Sequence, residues 1–181
     1  MKELSLNILD IAENSVKAKA TLTLINIKEE EDELTLEIVD DGIGMSAETL
    51  KSVTNPFYTT RTTRKVGLGI PLLKLACEQT GGSLEITSKE KSENTVDHGT
   101  KITARFYKNH LDFTPLGDVI STIVTLIQGH PDTDFLFTHT FSQKSVRLDT
   151  RELRGVLEGV PLNNFEVLTW IKEYLEEQYK I

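Results

Sequence analysis

The sequence predicts an α+β fold, a two-layer α/β sandwich with a small α+β appendage at its C-terminal end. Three observations predict it. The first eighteen residues have the period of an amphipathic helix. Between Thr21 and Tyr107, four segments have strand character and fall in two pairs, with helical stretches before and between them. Past residue 108 the character changes, and a second run of helix, hairpin and helix follows. Helices gathered on one face of a mixed sheet satisfy the first part of this order. The expected units are residues 1–108 and 109–181.

In the first helix, Leu4, Ile8, Ile11, Ala12 and Val16 form the apolar side. Glu3, Asn7, Asp10, Asn14 and Lys17 fall within an arc of about 80° on the other. Such a stripe is the ordinary solvated face of a helix, or it is a working face. Its composition suits the second reading, because it sets an acid, a neutral oxygen donor and a cation along one line. Thr21 to Lys28 reads as a strand. Leu34 to Val39 reads as another, with Leu34, Leu36 and Ile38 on one face. Extending that alternation puts Asp40 on the apolar side, where a carboxylate needs hydrogen-bond donors. Otherwise the strand has ended and Asp40 starts the turn at Asp41-Gly42.

The glycines of Asp41-Gly42-Ile43-Gly44-Met45 permit positive φ and close backbone approach. Ser46 caps a short helix, Ala47 to Val53. Asn55 to Thr60 breaks the pattern, and Arg61, Arg64 and Lys65 then make a local positive loop before Gly67-Leu68-Gly69. A helix from about Ile70 to Thr80 follows. A basic loop and a glycine pair feeding a helix N-terminus suit a phosphate; a cationic surface loop would have the same composition. Ser83 to Ser88 and Lys101 to Tyr107 make an antiparallel pair, the second entered through Gly99-Thr100. In the tail, Thr114-Pro115 can start a helix carrying Leu116, Val119, Ile120, Ile123 and Ile127. Asp134 to Phe141 and Lys144 to Leu148 read as a hairpin with Phe135, Phe137, His139 and Phe141 on one face, which docks on the first unit or on another protein. Asp149 and Thr150 can cap a short helix through Leu157. Asn163 or Asn164 caps a last one lined by Phe165, Leu168, Ile171 and Leu175.

Composition narrows the function. The chain has 181 residues and a formal charge of −8, which argues against nucleic acid as a partner. Its single cysteine, Cys77, excludes an internal disulfide and a multi-cysteine metal site. Asn7 and Asp10 interrupt any signal-peptide core, and no stretch approaches the roughly 20 apolar residues of a membrane span. A cytoplasmic protein is expected.

Five elements stand in one order: Asp10-x-x-x-Asn14, Asp40-x-Gly42-x-Gly44, Asn55-Pro56-Phe57-Tyr58-Thr59-Thr60, Gly67-Leu68-Gly69 and Gly99-Thr100. Together they resemble the N, G1, F and G2 boxes and the closing glycine-threonine of the ATP-binding domain shared by DNA gyrase, the Hsp90 chaperones, histidine kinases and MutL. This is the GHKL superfamily, with its Bergerat fold. The resemblance covers about residues 1–108. It implies that Asp40 accepts a hydrogen bond from the adenine amino group, with Gly42, Gly44, Met45 and Thr100 around the purine. It implies magnesium on the Asn14 amide oxygen, a phosphate contact from Lys17, and Asp10 as the base that orients the nucleophile. Phe57 belongs to the F box, Arg61, Arg64 and Lys65 to an ATP lid, and Gly67, Leu68 and Gly69 to the phosphate cradle.

The base is usually Glu in hydrolysing members and often Asn in histidine kinases, and here it is Asp. No helical hairpin with a phosphoacceptor histidine is expected from these residues, since His98, His110, His130 and His139 read as loop or strand positions. The resemblance therefore implies an ATP- and magnesium-binding signalling protein, kinase-like or ATP-hydrolysing, that acts on an unidentified partner protein, with the appendage as the candidate contact. The alternative is a switch in which ATP and ADP set the lid and thereby partner affinity.

Overall fold

Period-two alternation sets the sheet, and its register shows what the alternation accomplishes. The computed structural model describes residues 3–55, 68–93 and 96–180. Among these, six strands form one mixed sheet: β1 (Leu22–Glu29), β2 (Glu33–Asp40), β3 (Ser83–Lys89), β4 (Gly99–Tyr107), β5 (Asp134–Phe141) and β6 (Lys144–Asp149), in the order β3-β4-β2-β1-β5-β6. β1 and β5 run parallel, and the other neighbours are antiparallel. The pairing lines up Ile86, Ile102, Ile38, Ile25, Phe137 and Leu148 in one row across all six strands. The neighbouring row is Leu84, Ala104, Leu36, Ile27, His139 and Val146. Side chains of cross-strand partners point to one face. Both rows therefore lie under the helices.

The helices are α1 (Leu4–Lys17), α2 (Ala47–Ser52), α3 (Gly69–Gln79), α4 (Val119–Gly129), α5 (Thr150–Leu157) and α6 (Phe165–Lys180). α3, α1, α4 and α6 lie side by side, over β3 and β4, β1 and β2, β5, and β6 respectively. Leu4, Ile8, Ile11 and Ala12 of α1, Leu73 of α3, Ile123 and Leu126 of α4, and Ile171 and Leu175 of α6 are buried in one core with the two strand rows. Each such leucine or isoleucine side chain contributes about 1.5–3 kcal/mol by burial. The α+β two-layer sandwich expected from the sequence is the observed fold. No helix among the described residues is long and apolar enough to cross a membrane.

The tail is integral to this sheet. β5 pairs with β1 from Leu22–Asp134 to Glu29–Phe141, and Phe135 and Phe137 are fully buried beside Ile25 and Ile27. The aromatic hairpin face read as a docking surface thus closes the chain's own core. β6 is an edge strand, and α6 covers it: Gln178 Oε1 accepts the Arg147 N–H (2.9 Å) and its amide donates to the Arg147 carbonyl (3.1 Å). That occupies edge groups that would otherwise invite another strand.

Two expected boundaries move. α4 begins at Val119, not at Thr114-Pro115, because Gly117 takes φ +76° and Asp118 caps the helix by accepting the Ser121 N–H (2.9 Å). Pro115 and Leu116 instead cap α1: their carbonyls accept the N–H groups of Leu4 (2.9 Å) and Ser5 (2.8 Å). In α6 it is Asn164 that caps, through the Glu166 N–H (2.9 Å). Phe165 lies outside the core, and Val167 joins Ile171 and Leu175 in it.

Candidate functional site

One step beyond the apolar rows, the same register produces a polar one. Ser88, Thr100, Asp40 and Thr23 are consecutive cross-strand partners on the helix-facing side. Asp40 is the last residue of β2 and points inward, so the strand does extend to it; only 9% of its surface is exposed. Its Oδ1 accepts the backbone N–H groups of Gly42 (3.0 Å) and Thr100 (3.3 Å), and its Oδ2 accepts the Ser15 hydroxyl (2.8 Å). A carboxylate has about four acceptor positions. Three are taken by the protein, and Asp40 lines a cavity in which the remaining one can meet a donor.

The turn after Asp40 is held from three sides. Asp41 accepts the N–H groups of Thr21 (2.7 Å) and Leu22 (2.9 Å) and the Thr21 hydroxyl. Partial burial alone would raise its pKa, but those hydrogen bonds outweigh it and hold the carboxyl below its usual 3.8. His98 Nδ1–H donates to the Gly42 carbonyl (2.6 Å). Ser88 Oγ accepts the Met45 N–H (2.8 Å), bonds to the Gly99 carbonyl (3.0 Å) and shares a hydrogen bond with Thr100 Oγ1 (2.9 Å). Two glycines make these approaches possible. Gly99 has φ +126°, and a Cβ there would fall 1.9 Å from the Asp40 carbonyl oxygen. Gly44 has φ +68°, and a Cβ there would fall 2.0 Å from the Lys89 carbonyl oxygen, so the chain itself fills the space that this glycine frees.

The cavity measures about 320 Å³. Ile11, Ile38, Ile43 and Ile102 supply apolar walls. Of the residues singled out in the sequence, Asn14, Lys17, Asp40, Gly44, Met45, Leu68, Gly69 and Thr100 line it. Gly42 is not among the lining residues, and its N–H bonds to Asp40 Oδ1. Asp10 stands just past the lining: a Cβ built at Gly69 would lie 3.4 Å from Asp10 Cβ, 3.9 Å from Asp10 Oδ2 and 3.7 Å from Asn14 Nδ2. The polar stripe of α1 is therefore no simple solvated face, since Asp10 and Asn14 meet the start of α3. Lys17 sits 3.6 Å from Glu13, whose other oxygen is 2.7 Å from His130 Nε2. Burial would raise the Glu13 pKa, but the His130 hydrogen bond and charge, with Lys17, hold it below 4.5. Phe57, Arg61, Arg64, Lys65 and Gly67 lie outside the described residues.

Among the described residues, no three His, Cys, Asp or Glu side chains converge to hold a metal ion. Asp10 and Asn14, one helical turn apart beside the start of α3, still carry hard oxygen donors of the kind that magnesium shared with phosphate and water takes. Sequence reasoning passed over Ser15, Ser88 and His98. Ser15 carried a signal: it continues the apolar series Leu4, Ile8, Ile11 as a polar residue. Ser88 and His98 carried none, because their partners are backbone groups across the sheet.

Residues 2–110 match the sequence model of a family described as histidine kinase-, DNA gyrase B-, and HSP90-like ATPase. The sensor protein KdpD of Clostridium acetobutylicum is 29% identical over 94 residues, which are 49% of this chain and 10% of that protein. The chain thus spans about a tenth of that relative. Among solved structures, the N-terminal domain of a DNA repair protein superposes with a TM-score of 0.58 at 16% identity, covering 82% of this chain and 53% of that one. The Aquifex aeolicus MutL ATPase domain, complexed with ADP, gives 0.55 at 14% identity, covering 99% of this chain and 70% of that one. At such identities these two are likenesses of fold.

Proposed function

We propose, for a chain that belongs to the family of histidine kinase-, DNA gyrase B- and HSP90-like ATPases, that the Asp40 cavity binds ATP with magnesium and serves a kinase-like or ATP-hydrolysing signalling subunit acting on a separate partner protein. The observation that carries the nucleotide reading is Asp40, a nearly buried carboxylate with three protein donors and an acceptor position left toward the cavity. An adenine amino group donates there, whereas guanine would oppose its carbonyl oxygen to the carboxylate. The isoleucine walls suit the faces of a purine.

From Asp40 the cavity runs along α1 past Asn14 and Lys17 to the start of α3, where a helix N-terminus at Leu68 and Gly69 favours phosphate. Asn14 would hold magnesium through its amide oxygen, and Lys17 would reach a phosphate. Magnesium, when bound, neutralises phosphate charge and polarises the terminal phosphoryl group. Asp10 would accept a hydrogen from the attacking water or hydroxyl and orient it. The likeness to a sensor protein supports a signalling role, and the lone, buried Cys77 supports a cytoplasmic one.

The test is incubation with magnesium and γ-labelled ATP, following free phosphate and protein-bound label together. Phosphate release that Asp10→Asn abolishes while ATP still binds is the expected result. Turnover that survives Asp10→Asn removes Asp10 as the base, and absence of ATP binding overturns the assignment. ATP binding without either product identifies a switch, or a kinase awaiting its partner's acceptor.

A further inference from the structure

We propose that His130 is a positioning residue for the nucleotide phosphates, acting through Glu13 on Lys17. The inference rests on the ATP reading above. His130 lies outside the residues that match the family, and it reaches the site from the α4–β5 turn.

The geometry is a three-member chain. Lys17 lines the cavity, and its Nζ is 3.6 Å from Glu13 Oε2. Glu13 Oε1 is 2.7 Å from His130 Nε2. A carboxylate only accepts, so His130 Nε2 carries the hydrogen. The turn fixes the ring's backbone: the His130 N–H donates to the Leu126 carbonyl (3.0 Å), and its carbonyl accepts the Thr133 N–H (3.1 Å). Glu13 competes with phosphate for Lys17, because both are anions within reach of one ammonium. A donor on the far oxygen of Glu13 draws charge and orientation away from Lys17 and weakens that competition. Without His130 the carboxylate is free to turn wholly to Lys17, and a phosphate must then displace it. The base-binding end, at Asp40 and Thr100, has no part in this chain.

Side-chain exposures of 55% for Lys17, 32% for Glu13 and 25% for His130 set the scale. Loss of such a partly exposed interaction changes affinity by about two- to fivefold.

The experiment is competition binding of ATP and of adenosine to the full chain at one pH and salt concentration. Wild type is compared with His130→Ala, His130→Gln, Glu13→Gln and the double variant Glu13→Gln/His130→Ala. His130→Ala is expected to weaken ATP by about two- to fivefold and leave adenosine unchanged. His130→Gln, which keeps an N–H for Glu13, is expected to restore ATP affinity. In the Glu13→Gln background, His130→Ala is expected to have no effect. Unchanged ATP affinity in His130→Ala, equal loss for ATP and adenosine, or the same loss without Glu13 would each overturn the proposal. A wild type that binds neither ligand overturns the ATP reading itself, a result distinct from all three.

Discussion

On the proposed ATP reading, replacing Asp40 by Asn should separate recognition of the base from stability of the fold. Oδ1 must remain an oxygen, since it accepts two backbone N–H groups, from Gly42 and Thr100. The new amide nitrogen therefore takes the Oδ2 position beside Ser15. Ser15 can follow, because its hydroxyl already lies 3.5 Å from the Ile11 carbonyl and can turn its hydrogen there while accepting from the amide. The internal bonds are thus exchanged rather than lost, and stability should change by no more than about 1 kcal/mol. Toward the cavity the change is unfavourable, since an N–H donor now faces the adenine amino group. A hydrogen bond to a charged acceptor contributes about 1.5–3 kcal/mol, so Kd for ATP should rise by roughly ten- to a hundredfold. GTP should lose less, because its carbonyl oxygen can accept from the new amide, and the preference for ATP should shrink. Calorimetric titration with both nucleotides, alongside thermal unfolding, measures all three quantities. A folded Asp40→Asn variant with wild-type ATP affinity would refute the reasoning.

Gly44→Ala should destabilise the protein, since a left-handed alanine costs about 1–2 kcal/mol and its Cβ would meet the Lys89 carbonyl; at roughly 2–4 °C per kcal/mol, Tm should fall by about 5 °C or more. Gly129→Ala at the end of α4, where a Cβ meets nothing within 4 Å, is the control and should leave Tm unchanged or slightly higher. Stability should also fall on mild acidification. Burial holds His139 below its usual 6.5 despite Glu29, so the unfolded chain takes up a proton that the folded chain refuses. Stability is complete above about 6.5 and is lost as pH falls toward the folded value. The lowered carboxyls of Glu13, Asp118 and Asp149 lose their contribution only further down, as pH falls below about 4.5. Urea midpoints at about pH 7.5 and 5.5 should differ more in wild type than in His139→Gln, and equal differences would contradict this.

Much of the site was readable because each of its parts breaks a local pattern. Asp40 interrupts the alternation of Leu34, Leu36 and Ile38, and Ser15 interrupts the helical apolar series; the structure pairs these two interruptions with each other. The sequence reading took up the first and overlooked the second. The strands were readable for a similar reason, since alternation declares a buried face. What alternation does not declare is a partner. Nothing local in Phe135, Phe137 and His139 says that they lie beside β1 rather than against another protein. That pairing depends on contacts across most of the chain. The start of α4 misled because Leu116 is indeed packed against the core, but as part of the extended segment that caps α1. Ser88 and His98 act on backbone carbonyls and amides, which have no residue identity and leave no motif.

The parallel pairing of β1 with β5 also orders events in time. Leu22 is synthesised well before its neighbour Asp134, which is made only after the whole matched family segment has been. Until then β1 is an open strand edge, with Ile25 and Ile27 lacking the cover of Phe135 and Phe137. Long-range parallel pairing of this kind folds slowly and leaves a nascent chain open to association. Thr23, the neighbour of Asp40 in the polar row, pairs with Phe135, so the proposed nucleotide pocket should mature with the tail and not before it. A chain arrested near residue 110 should then expose an adhesive edge and hold nucleotide poorly, although it contains every motif of the site.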